Sequence, residues 1–596
     1  MKQLMTGNEA LARGAYEAGV HFAAAYPGTP STEIMENLAL YENIYTEWSV
    51  NEKAALEAAA GASLAGARSM ASMKHVGLNV AADPLFTFAY MGVGGGCVIV
   101  SADEPGQHSS QNEQDNRNYA QAAKIPMFEP SNSQECIDMV REAFDVSEQF
   151  NTPVLIRVTT RVCHSKSLVR LQEPGKSKIR PYIKDARAHV SVPANARIWR
   201  KNVEDRMEKL SCYSETCSAN KIIDPEHHKT GVITSGICYH HAREVFCDGA
   251  AYLKLGFTNP LPETLIWEFC LNKDTIYVIE ENDPYIENTV RKLGFQCSGK
   301  DVFPHFGEMT PDVIRSALFP EQMPDKTISD PSVITREPTL CAGCPHRGFF
   351  YTLSKKKNIM VSGDIGCYTL ACSEPYNAMD TCICMGSSFS AGHGAQKVFD
   401  MEKSTMKVVA VLGDSTFFHS GINSLINSIY NRSAVVHVIL DNRITAMTGH
   451  QQNPGTGYTI KGDPADQINI EKVVRALGVQ HVRTIDPNQL QEVSDTLDEY
   501  LQLDEPSVII TRWPCALKKF SKEDLQEFPD LFKTKCIVDE KQCIGCKACL
   551  KCGCPALSFN ETEKKVRVSL NDCVGCNVCG QICPAGAIKK EGPVHD

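Results

Sequence analysis

The C-terminal cysteines constrain the fold of this chain more than any other sequence feature. They form two runs, CIGCKACLKCGCP beginning at Cys543 and CVGCNVCGQICP beginning at Cys573. The second run has the regular spacing C-x2-C-x2-C-x3-C-P, whereas the first has both Cys552 and Cys554 after its third cysteine. Thiols two residues apart can wrap around one face of a compact metal centre, because the residues between them form a tight turn. The tail is therefore predicted to fold around metal–sulfur centres.

Two such runs are typical of a ferredoxin module with two [4Fe–4S] clusters, in which the cysteine before each proline ligates the other cluster. A pair of zinc sites is the alternative, but zinc sites do not need this crossed pattern. Cys552 is left over, either as a spare thiol or as a competing ligand in place of Cys554. The crossed rule assigns one cluster to Cys543, Cys546, Cys549 and Cys583 and the other to Cys573, Cys576, Cys579 and Cys554.

The chain is too long for a single core, because 596 residues exceed what one domain usually holds. The net charge of −11 and the lack of a basic run predict no nucleic-acid partner. The N-terminal segment carries Glu9, Arg13 and Glu17 and has no continuous apolar stretch, so neither a signal peptide nor a membrane span is expected. The 26 cysteines then indicate a reducing, cytoplasmic setting with cluster ligands rather than disulfides.

A second strong signal lies in the stretch KVVAVLGDS…AVVHVILDN. Its two apolar, β-branched runs predict buried parallel strands with a helix between them, and polar residues follow both strands. Gly413-Asp414-Ser415 followed by Asp441-Asn442 fits the thiamine diphosphate signature. An ordinary strand-to-helix turn with a capping aspartate is the alternative for the GDS residues alone.

The cofactor's chemistry explains this spacing. A diphosphate needs a hard cation, and Mg2+ prefers an octahedron of oxygen ligands. Asp414 and Asn442 each end a strand, so their side-chain oxygens are predicted to meet one Mg2+, with the backbone carbonyl of Ile444 as the third protein ligand. Gly413 allows the chain to turn close to the phosphates.

A thiamine enzyme also needs a glutamate that hydrogen-bonds the aminopyrimidine ring, so that the cofactor can lose its thiazolium proton. The stretch WSVNEKAALEAAAGASLAGAR supplies Glu52 at the start of a helix rich in small residues, in a different domain from the Mg2+ ligands. Glu57 is a competitor that is more simply a surface charge, and Glu47 precedes the helix. Spacing alone does not separate Glu52 from Glu47.

Further motifs accompany GDS…DN and the tail. They are AYPGTPSTEI at 25–34, NEKAALEAAAGASLAGAR at 51–68, CAGCPHR at 341–347, GDIGCYTLA at 363–371 and CMGSSFSAGHGA at 384–395. Together, and in collinear order over almost the whole chain, these motifs resemble the α subunits of indolepyruvate ferredoxin oxidoreductases, within the 2-oxoacid:ferredoxin oxidoreductases. The resemblance implies oxidative decarboxylation of arylpyruvates such as indolepyruvate and phenylpyruvates, acyl transfer to coenzyme A, and electron transfer through both clusters to ferredoxin.

The same resemblance implies roles for single residues. Glu52 matches the family's catalytic glutamate, Thr29 lies where related enzymes place a threonine near the substrate carbonyl, and His75 is expected to face the thiazolium. Asp414, Asn442 and Ile444 fall on the Mg2+ positions. The further residues expected to line the cofactor are Gly28, Cys341, His346, Gly366, Cys367, Gly413, Ser415, Thr445 and Met447.

The resemblance implies partners as well: a smaller β subunit in an α2β2 enzyme, ferredoxin as electron acceptor, and arylpyruvate and coenzyme A as substrates. Two other functions compete with this one. The chain could be a non-oxidative decarboxylase or carboligase with a structural ferredoxin tail, or an electron carrier with inactive thiamine domains. The joint presence of Glu52, Asp414 and Asn442 weighs against the electron carrier.

The C-x2-C pair Cys341 and Cys344 has a separate alternative, a redox pair or half of a zinc site. No matching second pair lies beside it in the sequence, which favours a structural or pocket role.

The predicted fold class is multidomain α/β: transketolase-like thiamine-binding domains with parallel sheets flanked by helices, plus an α+β ferredoxin module. The predicted boundaries are 1–180 for the pyrimidine domain, 181–228 for a connector, 229–335 for a transketolase C-terminal-like domain, 336–525 for the diphosphate and Mg2+ domain, and 533–596 for the ferredoxin domain.

Overall fold

The computed structural model of the protein describes residues 2–175, 177–224, 227–323, 337–529 and 531–591. The chain divides into two compact units, residues 1–330 and 331–596. The boundary predicted between residues 335 and 336 lies outside the described residues. Among the described residues, no helix combines the length and the apolar character needed to cross a bilayer.

The first unit contains a seven-stranded sheet in the order β12-β6-β7-β5-β4-β2-β3, a four-stranded sheet in the order β13-β10-β11-β9, and the antiparallel pair β1-β8. The seven-stranded sheet is parallel except at β12, and its central strands are apolar runs buried on both faces. The strands are β1 Lys2–Thr6, β2 Phe22–Ala25, β3 Tyr45–Trp48, β4 Ser69–Lys74, β5 Cys97–Asp103, β6 Met127–Phe128, β7 Val154–Thr159, β8 Lys166–Arg170, β9 Lys221–Ile223, β10 Thr230–Ser235, β11 Ala251–Leu255, β12 Phe257–Asn259 and β13 Thr275–Ile279.

Helices connect these strands and cover the sheets. The helix that carries the predicted catalytic glutamate begins where Asn51 caps it, the Asn51 Oδ1 accepting a hydrogen bond from the Ala54 amide at 2.8 Å. The helices are α1 Gly7–Glu17, α2 Thr32–Leu38, α3 Glu52–Leu64, α4 His75–Val80, α5 Ala82–Met91, α6 Arg117–Ala123, α7 Ser133–Phe150, α8 Thr160–His164, α9 Ala186–His189, α10 Pro193–Thr216, α11 Cys238–Phe246, α12 Glu263–Leu271, α13 Tyr285–Lys292 and α14 Pro311–Leu318, followed by a 3-10 turn Pro320–Gln322.

The region between the two sheets differs from a plain connector. Strand β9 pairs antiparallel with β11, and β12 joins the seven-stranded sheet beside β6. Side chains from both sheets, such as Leu155 and Leu253, belong to one hydrophobic core. Strand β9 lies within the predicted connector 181–228, because a strand of three residues is too short to show a period and forms through tertiary pairing.

The second unit is built on a six-stranded parallel sheet in the order β15-β14-β16-β17-β19-β18. The cysteine-rich tail contributes two antiparallel pairs, β20-β23 and β21-β22. The strands are β14 Ile359–Gly363, β15 Thr381–Cys382, β16 Lys407–Gly413, β17 Val436–Asp441, β18 His481–Ile485, β19 Ser507–Arg512, β20 Lys535–Val538, β21 Leu557–Asn560, β22 Lys565–Val568 and β23 Ile588–Glu591.

The helices of this unit follow its strands in alternation, as expected for a parallel sheet. A π-helical turn, Phe417–Gly421, joins α17 to α18 directly after the GDS residues. The helices are α15 His346–Leu353, α16 Ser388–Met401, α17 Asp414–Thr416, α18 Ile422–Tyr430, α19 Ile470–Ala476, α20 Leu490–Tyr500, α21 Lys522–Glu527 and α22 Val578–Ile582, with 3-10 segments Cys367–Cys372 and Ala548–Cys552.

Candidate functional site

The predicted metal ligands lie at the carboxyl ends of the neighbouring parallel strands β16 and β17. Asp414 and Asn442 are both buried, and the Asp414 carboxylate accepts a hydrogen bond from the Ser415 amide at 2.7 Å. Burial, and then the charge of Asp441, raises the pKa of Asp414 to about 7. A buried carboxylate beside a second carboxylate is the environment that a hard cation compensates, so these residues fit a Mg2+ site.

A polar network continues from this edge of the sheet. The Thr445 hydroxyl donates to Ser415 Oγ at 2.9 Å, and the Asn453 amide donates to the Asp414 carboxylate at 3.3 Å. The Ile444 amide donates to Asn442 Oδ1 at 3.2 Å. Asn453 is a member of this network that the sequence motif does not indicate, because it lies beyond the GDS…DN pattern.

The GDIGCYTLA segment packs against the GDS turn. The Gly413 amide donates to the Tyr368 hydroxyl at 3.0 Å, and a Cβ added at Gly366 would lie 2.3 Å from the Tyr368 ring. Behind them the buried Asp364 accepts amide hydrogen bonds from Gly386 at 2.8 Å and Ser388 at 2.9 Å. Asp364 thereby ties two of the quoted motifs together, a role that sequence reasoning missed because it depends on a contact between distant segments.

The remaining predicted cofactor-lining residues of this unit differ in exposure. His346 is buried, and its burial lowers its pKa to about 4, so the ring is neutral at physiological pH. It packs edge-on against Tyr368, with ring centroids 5.7 Å apart. Cys367 is half-buried, whereas Cys341 and Met447 are exposed.

Further thiols gather around the C-x2-C pair. Burial raises the pKa of Cys344 to about 12, and the thiols of Cys367 and Cys515 raise it further. Cys515 is influenced in turn by Cys341, and its sulfur lies 3.7 Å from Nε2 of His450. Cys367 and Cys515 belong to segments that are distant in sequence from the C-x2-C pair. Among the described residues no three His, Cys, Asp or Glu side chains are arranged to hold a single metal ion, and this includes the thiols of the tail.

In the first unit, Glu52 packs against α4, the helix that His75 begins. Glu52 is buried, and a Cβ added at Gly77 would lie 2.7 Å from its carboxylate oxygen. Nε2 of the buried His75 lies 3.1 Å from both the Asn112 carbonyl and the Asn112 side-chain oxygen. Nδ1 of His75 has no hydrogen-bond partner although it is buried. Such an orphaned ring nitrogen, on the helix against which the buried Glu52 packs, fits a site that a ligand completes.

The competing glutamates have different surroundings. Glu57 is half-exposed and pairs with Lys53 on the outside of the same helix. Glu47 lies on β3, the edge strand, and accepts hydrogen bonds from Ser49 Oγ at 2.9 Å and the Tyr45 hydroxyl at 3.1 Å. Both glutamates serve surface or local contacts, so Glu52 is the buried carboxylate of the three.

A partly buried lysine lies beside the predicted substrate loop. A Cβ added at Gly28 would meet Lys74 Cγ at 3.1 Å, so the Lys74 stem runs against the backbone next to Thr29. The Lys74 ammonium lies 3.6 Å from Glu104, a carboxylate that already accepts three hydrogen bonds from Ser109 and Ser110. Burial lowers the pKa of Lys74, opposed by the charges of Glu104 and Glu52. Sequence reasoning missed this lysine because nothing in its local pattern distinguishes it.

The tail places the first set of predicted cluster ligands around one cavity. Its lining includes three cysteines of the first run together with Cys583 of the second. The Ala587 amide donates to the Cys583 sulfur at 3.3 Å, a contact that also stabilises a thiolate ligand. The cysteines that line the cavity are Cys543, Cys546, Cys549 and Cys583.

The second predicted set is accompanied by two further buried thiols. Burial raises the pKa of Cys576, and the thiols of Cys554 and Cys573 raise it further. Cys552 is fully buried, and burial raises its pKa to about 12. The Cys536 amide donates to the Cys573 sulfur at 3.3 Å. Cys536 is a neighbour of this set that the run pattern does not include.

Fold and site together define a thiamine diphosphate-binding protein. Residues 364–511 match the C-terminal thiamine pyrophosphate-binding domain of thiamine pyrophosphate enzymes. Residues 13–222 match the thiamine diphosphate-binding domain of pyruvate flavodoxin/ferredoxin oxidoreductases.

Comparison with whole proteins shows to which family of thiamine diphosphate-binding proteins the chain belongs. The chain is 39% identical to indolepyruvate oxidoreductase subunit IorA of Methanothermobacter marburgensis, over 99% of this chain and 97% of the relative. It is 38% identical to the IorA subunit of Pyrococcus horikoshii, over 99% and 97% of the two chains, and 39% identical to that of Archaeoglobus fulgidus, again over 99% and 97%. The chain belongs to the family of indolepyruvate oxidoreductase IorA subunits, within the 2-oxoacid:ferredoxin oxidoreductases, which confirms the resemblance seen in the sequence motifs.

Proposed function

We propose that this chain is the catalytic subunit of an enzyme that oxidatively decarboxylates arylpyruvates, indolepyruvate above all, to aryl-acetyl-CoA and CO2. The proposal is supported chiefly by the coexistence, in one unit, of the buried Asp414–Asn442 edge and the cysteine tail. A thiamine site alone would serve many reactions. The cysteine sets of the tail would hold [4Fe–4S] clusters, and each such cluster accepts one electron at a time. Ferredoxin is the proposed final acceptor, and coenzyme A the acyl acceptor.

In the second unit, Asp414, Asn442 and the Ile444 carbonyl would hold Mg2+ and through it the diphosphate. Thiamine diphosphate supplies the carbanion stabilisation that decarboxylation of a 2-oxoacid requires. The neutral His346 and the segment from Gly366 to Tyr368 would exclude water around the bound group. Gly413, Ser415, Thr445 and Met447 complete the proposed lining.

In the first unit, Glu52 is the group proposed to exchange a proton with the aminopyrimidine ring. Gly77 leaves space for its carboxylate, and Nδ1 of His75 is available to donate to or accept from a bound group. Thr29 is proposed to hydrogen-bond the substrate carbonyl. The Lys74 ammonium, beside the same loop, supplies the positive charge that the carboxylate of a 2-oxoacid needs on entering a buried site.

The proposed assembly contains a smaller β subunit, with α2β2 stoichiometry. The proposed domains keep the sequence-derived boundaries, 1–180, 181–228, 229–335, 336–525 and 533–596. The two proposed [4Fe–4S] clusters take the crossed ligand sets described above.

The test is anaerobic turnover of the reconstituted two-subunit enzyme with indolepyruvate, phenylpyruvate or another 2-oxoacid, coenzyme A and a redox dye. Dye reduction that depends on substrate and coenzyme A is expected, and fastest with an arylpyruvate. Glu52→Gln is expected to abolish it, whereas Glu57→Gln, on the exposed side of the same helix, should keep wild-type rates. Release of CO2 and free aldehyde without dye reduction would instead support a non-oxidative decarboxylase.

Iron analysis tests the clusters separately from turnover. Two [4Fe–4S] clusters correspond to about 8 iron atoms per chain. A clearly higher content that falls in Cys515→Ser would assign a further centre to the thiols around Cys344, and a chain purified anaerobically without iron would contradict the proposal.

A further inference from the structure

A buried arginine connects the two cysteine-rich parts of the second unit. Arg347 follows His346 at the start of α15 and is 1% exposed. Its Nη2 donates to the carbonyls of Leu340 at 2.5 Å and Cys341 at 2.8 Å. Its Nη1 donates to the carbonyl of Cys552 at 2.7 Å. The guanidinium thus joins the C-x2-C segment to the tail.

The tail loop is held at this point by further contacts. The Tyr376 hydroxyl donates to the Cys552 carbonyl at 2.6 Å and accepts from Arg347 Nη1 at 2.9 Å. Gly553 follows with φ of 63°, and a Cβ there would lie 2.8 Å from the ring of Pro375. The loop that ends at Cys554 is therefore fixed against the six-stranded half of its unit.

The charge of Arg347 is buried without a carboxylate partner among the described residues, a costly arrangement unless other negative charge is near. Burial lowers the arginine's pKa, but Tyr376 and the thiols of Cys554, Cys344 and Cys552 raise it more. The same cation acts on Cys576. Cys552, whose carbonyl accepts from Arg347 Nη1 at 2.7 Å, is two residues before Cys554 of the second predicted ligand set, so the guanidinium lies beside the loop whose thiolate would balance its charge.

Electrostatics gives this position a functional consequence. Reduction of a cluster adds one negative charge, and a buried cation nearby stabilises the reduced form more than the oxidised form. We propose that Arg347 is a positioning residue that docks the Cys552–Cys554 loop and raises the reduction potential of the cluster held by Cys554, Cys573, Cys576 and Cys579. The inference rests on the proposed function, because it requires the two clusters.

The experiment is a redox titration of both clusters in the purified holoenzyme, followed by electron paramagnetic resonance, with Cys549→Ser marking the signal of the first cluster. In Arg347→Gln the midpoint potential of the second cluster is expected to fall, while that of the first stays in place. Tyr376→Phe removes a hydrogen bond to the same carbonyl but keeps the charge, and should leave both potentials near wild type.

Unchanged potentials in an iron-replete Arg347→Gln enzyme would overturn the inference, as would an equal fall in Tyr376→Phe. If Arg347→Gln loses the iron of the second cluster, Arg347→Lys decides, because it keeps the charge but not the forked donors. If Arg347→Lys retains the iron of the second cluster and the midpoint potential of that cluster is unshifted, the inference is supported. If the potential falls although the positive charge is kept, the inference is contradicted. A wild-type enzyme without iron would overturn the proposed function together with this inference.

Discussion

At the scale of single residues, the space around Glu52 is set by the absence of a side chain at Gly77. The substitution Gly77→Ala would place a Cβ 2.7 Å from the Glu52 carboxylate and displace it. We expect turnover to fall at least tenfold, since a misplaced proton-transfer group loses most of its contribution. Steady-state dye reduction measures the effect.

A matched control lies on the helix that begins with Glu52. A Cβ at Gly61 would have no atom within 4 Å, so Gly61→Ala should keep activity and stabilise the helix by about 0.5–1 kcal/mol. If Gly77→Ala turned over as fast as Gly61→Ala, the proposed position of the catalytic carboxylate would be wrong.

A second residue-scale prediction concerns pH. Burial raises the pKa of Glu281 from its ordinary 4.5 to about 7, despite the charge of Arg157. The folded chain therefore holds a proton between pH 4.5 and 7 that the unfolded chain has lost, so the stability contribution of Glu281 decreases as pH rises through this interval. Above pH 7 the ionised Glu281 lowers the free energy of unfolding by the full amount, on the order of 3 kcal/mol.

Glu281→Gln should remove this penalty. We expect the thermal midpoint of the variant to exceed that of the wild type at pH 8 and to match it near pH 4.5, measured by calorimetry. Glu268→Gln, at an exposed position, is the control and should shift the midpoint equally little at both pH values. A constant offset between wild type and Glu281→Gln across the pH range would contradict the assignment.

At the scale of elements, the helix that begins at Glu52 depends on its cap. Asn51→Ala removes the hydrogen bond to the Ala54 amide and is expected to cost about 1 kcal/mol of unfolding free energy. Because the cap also fixes the first turn, activity should fall as well. Asn51→Asp and Asn51→Ser keep an acceptor and should restore most of the stability; equal losses in all three variants would exclude a capping role.

At the scale of the whole molecule, cofactor binding should increase the stability of the folded protein against unfolding. A ligand that binds only the folded state at a hundred times its Kd adds about 2.7 kcal/mol. Thiamine diphosphate with Mg2+ is expected to raise the thermal midpoint of the wild type but not of Asp414→Asn. Asp504→Asn, at a side chain that is 94% exposed, is the control and should respond like the wild type. An equal response of Asp414→Asn would place the metal elsewhere.

Much of this protein follows from short stretches of its sequence. The parallel strands and the GDS…DN edge were predictable, because each depends on residues a few positions apart along one strand or turn. Local spacing left Glu52 and Glu47 as alternatives, and only the family resemblance favoured Glu52. The spacing of the tail cysteines likewise indicates their type of site without any tertiary information.

Only the tertiary structure decides which distant groups meet. The sulfur of Cys515 lies beside the ring of His450, Asp364 ties two motifs together, and Arg347 reaches the carbonyl of Cys552 across more than two hundred residues of chain. No local sequence pattern predicts these contacts, because the partners of a buried polar group are the groups that folding brings next to it. The sequence by itself determined the chemistry that this chain can carry, and the fold determined which buried charges and thiols accompany that chemistry, since burial and long-range contact arise only when the chain is packed.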